Sequence, residues 1–124
     1  MREAIRRRHI SFQNAWKGLR WVIHEHPNFR IHLILSSGAL ILAFLLGISR
    51  IELIILIFTI LLGLSAEMIN TAIESITDLV TREWRDEARI AKDVSAGMMF
   101  TIAIGAAAIG SMIFYPYVSG WFIR

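Results

Sequence analysis

The 124-residue sequence contains no cysteine, so it has neither a disulfide framework nor a thiolate metal site. It has no GxxxxGK[ST], GxGxxG or HRD-like motif, so any nucleotide site in this chain would be unconventional. Arginines dominate residues 2–8 and no apolar segment follows them directly. We therefore expect no cleavable signal peptide.

Apolar residues are abundant instead. The chain is 56% hydrophobic, with a mean hydropathy of +0.57. This composition is too apolar for a soluble domain of this size, and the length allows one domain at most. The composition predicts a small integral membrane protein, with residues 1–124 forming a single domain.

Three hydrophobic segments predict three transmembrane helices. They lie at about 31–48, within a longer helix at 51–80, and at 94–116, where Pro116 is expected to end the last helix. Each approaches the ~20 residues needed to cross ~30 Å of hydrocarbon. Residues 47–50 leave room only for a tight turn. We therefore expect an all-α fold with three spans.

The N-terminal region, residues 1–30, predicts an amphipathic helix. Phe12, Trp16, Leu19 and Ile23 recur at helical spacing, and the basic residues of this segment point elsewhere. Such a helix lies in the membrane surface with its basic face towards anionic headgroups. A simple anchor with no role in substrate binding is the alternative.

Basic residues are distributed asymmetrically and predict the orientation. Most of them precede the first span or lie between the second and third, whereas the other side has only Arg50 and Arg124. Because positive charge concentrates in cytoplasmic segments, we expect a multi-pass protein of the cytoplasmic membrane with a cytoplasmic N-terminus.

Polar residues follow the apolar segment 53–66 on one face of the second span. This polar stripe, defined by offsets of 3, 4, 7 and 11 residues, contains Glu67, Asn70, Thr71, Glu74 and Asp78. A carboxylate in hydrocarbon costs several kcal/mol, so intramembrane acids usually face a partner, a cavity or a cation. The stripe predicts a divalent-metal site or a proton-transfer site. Salt bridges to a neighbouring helix are the alternative.

The depth of the two glutamates indicates which chemistry they serve. Glu67 lies ~24 Å along the helix from Ile51, near the cytoplasmic edge of the hydrocarbon, and Glu74 lies ~10 Å further. The same helix face therefore carries one carboxylate at the depth of the lipid headgroups and a second carboxylate that soluble molecules can reach. This arrangement favours a reaction between a lipid and a soluble cosubstrate over ion conduction, for which polar groups should recur along the whole span.

Small residues form one face of the third span, with Ala103, Ala107 and Ser111 at four-residue intervals beside Ala106 and Gly110. Small residues at this spacing let helices approach closely in lipid. The pattern predicts a packing face, and unspecific filler within a single span is the alternative.

Several motifs resemble those of the prokaryotic diacylglycerol kinase / undecaprenol kinase family. They are EMINTAIE at 67–74 followed by Asp78, AKD at 91–93 followed by AG at 96–97, WKGLR at 16–20 and NFRIH at 28–32. The resemblance implies an all-α homotrimer with active sites at subunit boundaries on the cytoplasmic side. It also implies phosphorylation of a membrane lipid alcohol, undecaprenol or diacylglycerol, by ATP with Mg²⁺ or another divalent cation. No nucleic-acid partner is expected.

The same resemblance suggests roles for individual residues. Glu67 resembles the catalytic base that takes the proton from the lipid hydroxyl, and Glu74 resembles the carboxylate that holds the metal on ATP. Asn70 lies between them and is expected to orient both. Positions that match nucleotide contacts are Lys92, Asp93, Glu83 and Arg7.

One position departs from the family pattern. A metal-binding glutamate of the first helix usually precedes the aromatic of the NFR-like motif by three residues, but here that position is His26. Glu25 lies four residues before Phe29, with Pro27 between them. Because the proline could shift the register, we take Glu25 as the second metal ligand, with His26 as the alternative.

Two functional interpretations remain. The first is an ATP-dependent lipid kinase, and the second is a non-enzymatic channel or assembly subunit whose acids bind cations or protons. ATP-dependent labelling of membrane lipid separates them, because a channel should produce none. The details at 28–32 and 95–97 resemble the undecaprenol kinase branch more than the diacylglycerol branch.

Overall fold

Four α-helices make up the part of the chain that is described. The computed structural model describes the backbone of residues 2–122 and the side chains of residues 11–119. The helices are α1 (Arg2–Glu25), α2 (Pro27–Leu46), α3 (Arg50–Val80) and α4 (Asp86–Phe122), with no strand among these residues. Helices α2, α3 and α4 are long and apolar enough to cross a membrane. The predicted all-α class with three spanning helices is confirmed.

The break between α1 and α2 lies earlier than the sequence analysis placed it. The surface helix was expected to reach residue 30 and the first span to begin at 31, but α1 ends at Glu25 and α2 begins at Pro27. A proline disfavours helical geometry in the residue before it, and His26 has extended dihedral angles (φ −108°, ψ 103°). Pro27 itself suits the first turn of α2, where its missing N–H needs no partner.

Strong capping signals define the turn between α2 and α3. Gly47 adopts the left-handed conformation (φ 62°), and its N–H and that of Ile48 donate to the carbonyls of Phe44 and Ala43. Ser49 then begins α3 with a capping box, because its Oγ accepts from the N–H of Glu52 and its own N–H donates to the Glu52 carboxylate. The chain therefore reverses direction within three residues.

Helix α4 is longer at both ends than the predicted segment 94–116. It begins at Asp86, where Asp86 and Glu87 in the first turn complement the positive end of the helix dipole. The segment 86–93, which precedes the predicted span, is therefore helical as well. At the other end, the helix continues through Pro116 to Phe122, so the prediction that Pro116 ends it is wrong. Spanning helices tolerate proline where neighbouring groups hold the chain in place.

Packing divides the helical bundle into an apolar end and a polar end. Near the α2–α3 turn, Ala43, Leu56 and Ile113 form a buried apolar cluster. Towards the α3–α4 loop (residues 81–85), the buried residues of α3 and α4 include Glu67, Asn70, Thr71 and Ser95. Large apolar side chains mostly face outward, as for Phe44 at 78% exposure, which suits helices surrounded by lipid or by other subunits.

A hydrogen-bonded cluster joins α4 to α3 beside the α2–α3 turn. The Tyr117 hydroxyl donates to Glu52 Oε2 at 2.6 Å, and the Ser49 N–H donates to the same oxygen at 2.8 Å. Tyr117 directly follows Pro116 in the sequence. Its bond to Glu52 therefore holds the segment after the proline against α3.

We predict that Tyr117→Phe lowers the melting temperature of the detergent-solubilised protein by a few degrees, because it removes the hydroxyl that joins the two helices. The matched control is Tyr115→Phe, which removes the hydroxyl of an exposed tyrosine two residues away. Thermal unfolding followed by circular dichroism measures both variants. If the two substitutions lowered the melting temperature equally, the hydrogen bond from Tyr117 to Glu52 would not be what holds α4 against α3.

Candidate active site

Helix α3 carries the polar stripe directly after its apolar segment and turns part of the stripe into the protein. Glu67 is 3% exposed and Asn70 is 7% exposed, and Thr71 is also buried. Glu74 is half-buried, while Asp78 is exposed near the end of the helix. The stripe therefore runs from a buried acid to a solvent-accessible one, along a single rigid element.

Glu67 is a buried carboxyl group whose oxygens remain available. Within the described range, it forms no hydrogen bond and no ion pair. An ion pair with another described residue therefore does not explain this acid. No fully buried side-chain oxygen among the described residues lacks a hydrogen-bond partner, so the Glu67 oxygens are not fully enclosed.

Asn70 connects Glu74 to helix α4. Its Nδ2 donates to Glu74 Oε1 at 3.0 Å, and the hydroxyl of Ser95 on α4 donates to Asn70 Oδ1 at 2.7 Å. Asn70 was expected to orient both Glu67 and Glu74. In the described structure its hydrogen bonds reach Glu74 and Ser95, but not Glu67.

A charged cleft of about 270 Å³ opens where α3 ends and α4 begins. Its charged lining comes from both helices and the loop between them, and includes Asp78, Arg82, Glu83, Arg85, Lys92 and Asp93. Three of the four residues expected to contact nucleotide therefore lie around one cavity. The fourth, Arg7, has a side chain outside the described residues.

The acids and bases of this cleft are paired with one another. Lys92 Nζ lies 2.5 Å from Asp78 Oδ1, and Arg89 bonds Asp93 at 2.9 Å. Glu83 contacts Arg85 more loosely, at 3.6 Å. Exposed ion pairs of this kind contribute little to stability, so these groups can exchange their present partners for a charged ligand at small cost.

Glu25 and His26 lie at the α1–α2 break. Glu25 is the exposed last residue of α1, and no hydrogen bond joins it to Glu74 in the described chain. The half-buried His26 ring packs edge-on against Trp21, with centroids 4.8 Å apart. Among the described side chains, no group of three or more Asp, Glu or His residues is placed to hold a metal ion. A metal ion here would need ligands in addition to these described side chains.

Sequence reasoning missed Ser95 as part of this cluster. It also did not anticipate that Lys92 pairs with Asp78. Both contacts join α3 to α4 across 25 and 14 residues of sequence. No local pattern signals such a contact, because it depends on the register in which the two helices pack.

Part of the predicted small-residue face of α4 is used within the chain. Ala103, Ala106 and Gly110 line an apolar groove of about 290 Å³ between α2, α3 and α4. Ala107 also lines this groove but is mostly exposed, as is Ser111. The exposed part of the face is the part still available to another molecule.

Comparison with known proteins identifies the family. The family described as prokaryotic diacylglycerol kinase matches residues 13–114, a range that includes α2, α3 and nearly all of the site. The chain belongs to this family. This membership confirms the family assignment that was made from the motifs. It also confirms the lipid-kinase class, and a kinase of this family implies ATP as the phosphate donor. The non-enzymatic interpretation is not favoured.

Individual relatives carry both family names. An undecaprenol kinase of Bacillus subtilis is 37% identical over 107 residues, covering 86% of each chain. A diacylglycerol kinase of Synechocystis sp. is 35% identical over 108 residues, covering 86% of this chain but 62% of that protein. A diacylglycerol kinase of Haemophilus influenzae is 29% identical over 106 residues, covering 85% of this chain and 90% of the relative.

Proposed function

We propose that the chain forms a single lipid-kinase domain of the cytoplasmic membrane. It transfers the γ-phosphoryl group of ATP to the hydroxyl of a membrane lipid alcohol. The observation that carries this proposal is the order of groups along α3: a buried acid without a partner, then the Asn70–Glu74 pair, then a charged cleft. Undecaprenol and diacylglycerol are both candidate substrates, because a relative named undecaprenol kinase and a relative named diacylglycerol kinase have similar sequence identities to this chain, 37% and 35%.

Glu67 is the proposed general base. Its carboxylate is not occupied by any described donor, so it can accept the proton of a lipid hydroxyl. As that proton leaves, the lipid oxygen forms a bond to the γ-phosphorus, and the bond from this phosphorus to the bridging oxygen breaks, releasing ADP. Phosphoryl transfer of this kind depends on positioning and charge neutralisation more than on covalent chemistry by the protein.

Glu74 is the proposed metal ligand, with Glu25 as the second. A half-buried carboxylate that is held in place by the Asn70 amide supplies the hard oxygen that Mg²⁺ prefers. Mg²⁺ usually binds one or two carboxylates and completes its shell with substrate phosphates and water. The residues present therefore fit a cation that arrives with ATP, and its contribution would be to neutralise phosphate charge.

The charged cleft is the proposed nucleotide site, with Lys92, Asp93 and Glu83 as contacts and Arg7 completing them from the N-terminal arm. The Lys92 ammonium already has an anionic partner in Asp78, at 2.5 Å. Phosphate oxygens would compete for it with a carboxylate in an exposed setting, where the existing pair is weak.

We also propose a homotrimer with shared sites and a cytoplasmic N-terminus. The largest contact surface of α3 is with α4, and most apolar side chains of the spans remain exposed. The exposed apolar side chains of the spans and the exposed part of the small-residue face of α4 are the surfaces that neighbouring subunits would cover. The basic segments before α2 and around the charged cleft support the orientation.

The first prediction tests the base. Glu67→Gln should lower kcat by about 10²–10⁴-fold and leave ATP affinity near that of the wild type, because an amide cannot accept the hydroxyl proton. Transfer of label from γ-labelled ATP to lipid in detergent micelles measures the rate. Glu87→Gln, which changes an exposed acid of the first turn of α4, is the control and should retain the rate. A Glu67→Gln enzyme with more than about a tenth of wild-type activity would rule out this role.

The second prediction concerns the metal. Glu74→Ala should raise the Mg²⁺ concentration needed for half-maximal rate, because the cation loses an anionic oxygen ligand. Glu25→Ala should act in the same direction, whereas His26→Ala should have little effect. Mg²⁺ titrations at saturating ATP compare the three variants. If His26→Ala raises the Mg²⁺ requirement more than Glu25→Ala does, the second metal ligand is His26, at the position that the family pattern gives, and not Glu25.

The third prediction concerns assembly. Glu67→Gln and Glu25→Ala subunits, each of low activity alone, should recover activity when mixed, because a shared site can combine Glu67 of one subunit with Glu25 of another. Co-purification through two different affinity tags establishes that mixed oligomers are present. Mixed oligomers without recovered activity would mean that each chain builds its own site.

A further inference from the structure

The Ser95 hydroxyl occupies a buried position between α3 and α4 and has no part in the reaction as described so far. Ser95 is 2% exposed. Its Oγ lies 2.7 Å from Asn70 Oδ1 and 2.9 Å from the carbonyl oxygen of Lys92. Two acceptors therefore surround a group that has a single proton to donate.

The chemistry of Glu74 decides how the Asn70 amide is oriented. An ionised carboxylate only accepts hydrogen bonds, so the amide nitrogen must face Glu74 and the amide oxygen must face away from it. In the described structure, Asn70 Oδ1 then points at Ser95 Oγ. If the serine proton went to the Lys92 carbonyl, two oxygen lone pairs would face each other at 2.7 Å in a buried setting.

Donation from Ser95 to Asn70 resolves this conflict. The hydroxyl proton then satisfies Asn70 Oδ1, which is buried and receives no other hydrogen bond from the described residues. Removing the hydroxyl would leave the buried amide oxygen without a donor, so the amide would lose the contact that anchors it to α4. The hydrogen bond from Asn70 Nδ2 would then hold the Glu74 carboxylate less firmly in place.

We propose that Ser95 is a positioning residue for the metal-binding carboxylate: its hydroxyl fixes the Asn70 amide, and the amide fixes Glu74. This inference rests on the proposed role of Glu74 as a metal ligand. Ser95 also lies one helical turn from Lys92 on α4. One turn of α4 therefore carries both Lys92, the proposed phosphate contact, and Ser95, which positions the metal ligand Glu74 through Asn70.

A purely structural role for Ser95 makes a different prediction. A hydrogen bond that only holds α3 against α4 would affect thermal stability and leave metal affinity unchanged. A positioning role requires a change in metal affinity even where the protein remains fully folded. The test must therefore measure metal binding directly and without turnover.

The experiment measures Mn²⁺ binding by electron paramagnetic resonance to the full chain in detergent micelles, with a non-hydrolysable ATP analogue and no lipid. Ser95→Ala should weaken Mn²⁺ binding about fivefold, the factor that corresponds to one ordinary buried hydrogen bond. Ser111→Ala is the matched control. It makes the same substitution on the same helix, where the hydroxyl bonds only the Ala107 carbonyl of its own helix, and it should bind Mn²⁺ as the wild type does.

Two further variants test whether Ser95 affects Mn²⁺ binding through its hydrogen bond to Asn70. Ser95→Cys offers a weaker donor of similar size, so its affinity should lie between those of the serine and alanine proteins, and it serves as the test if the alanine variant does not fold. In an Asn70→Ala background, Ser95→Ala should cause no additional loss, because the intermediate group is already absent.

Unchanged Mn²⁺ affinity in folded Ser95→Ala, or a loss of the same size in the Asn70→Ala background, would overturn the positioning role. These results are distinct from failure of the proposed function. A wild-type protein that phosphorylates no lipid alcohol would refute the kinase proposal. A fully active wild type with a Ser95→Ala variant of normal metal affinity would refute only the role of Ser95.

Discussion

Polar side chains between two apolar helices must find partners inside the protein, because lipid offers none. Three side-chain pairs meet this requirement along the contact between α3 and α4: Glu52 with Tyr117, Asn70 with Ser95, and Asp78 with Lys92. The pairs are spread over most of the length of α3. The buried bond between Asn70 and Ser95 holds the two helices in register at the candidate site, and the two more exposed pairs lie in the same register on either side of it.

Glu67 lies on the same face of α3 but does not have such a partner among the described residues. It is as buried as Asn70 and Ser95, and its oxygens are not fully enclosed. An accessible carboxylate without a partner can accept a proton from a ligand, as the proposed general base must. The regular helix then sets its distance from Glu74 at seven residues, ~10 Å along the axis. In the proposed reaction, the transferred phosphoryl group would lie between the two.

Local sequence patterns were sufficient for the main helix and for its acids. The apolar segment 53–66 and the spacing of Glu67, Asn70 and Glu74 predict both the span and the polar stripe, because one helical period decides each. Helix ends were less predictable. The sequence predicts that Pro116 ends the last helix, but the helix continues to Phe122. Tyr117, directly after the proline, bonds Glu52, which lies 65 residues earlier in the chain. The partners of Asn70 and Lys92 likewise depend on how α3 and α4 pack, which no local pattern records.

The central claim is that this face transfers phosphate from ATP to a lipid alcohol. Its most direct test is a side-by-side assay of the purified protein in mixed micelles with undecaprenol or diacylglycerol, using ATP labelled at either the γ- or the α-phosphate. The account predicts that γ-label appears in lipid phosphate with at least one alcohol, requires that alcohol, and never appears from α-labelled ATP. Folded protein that transfers no γ-label to either alcohol would contradict it.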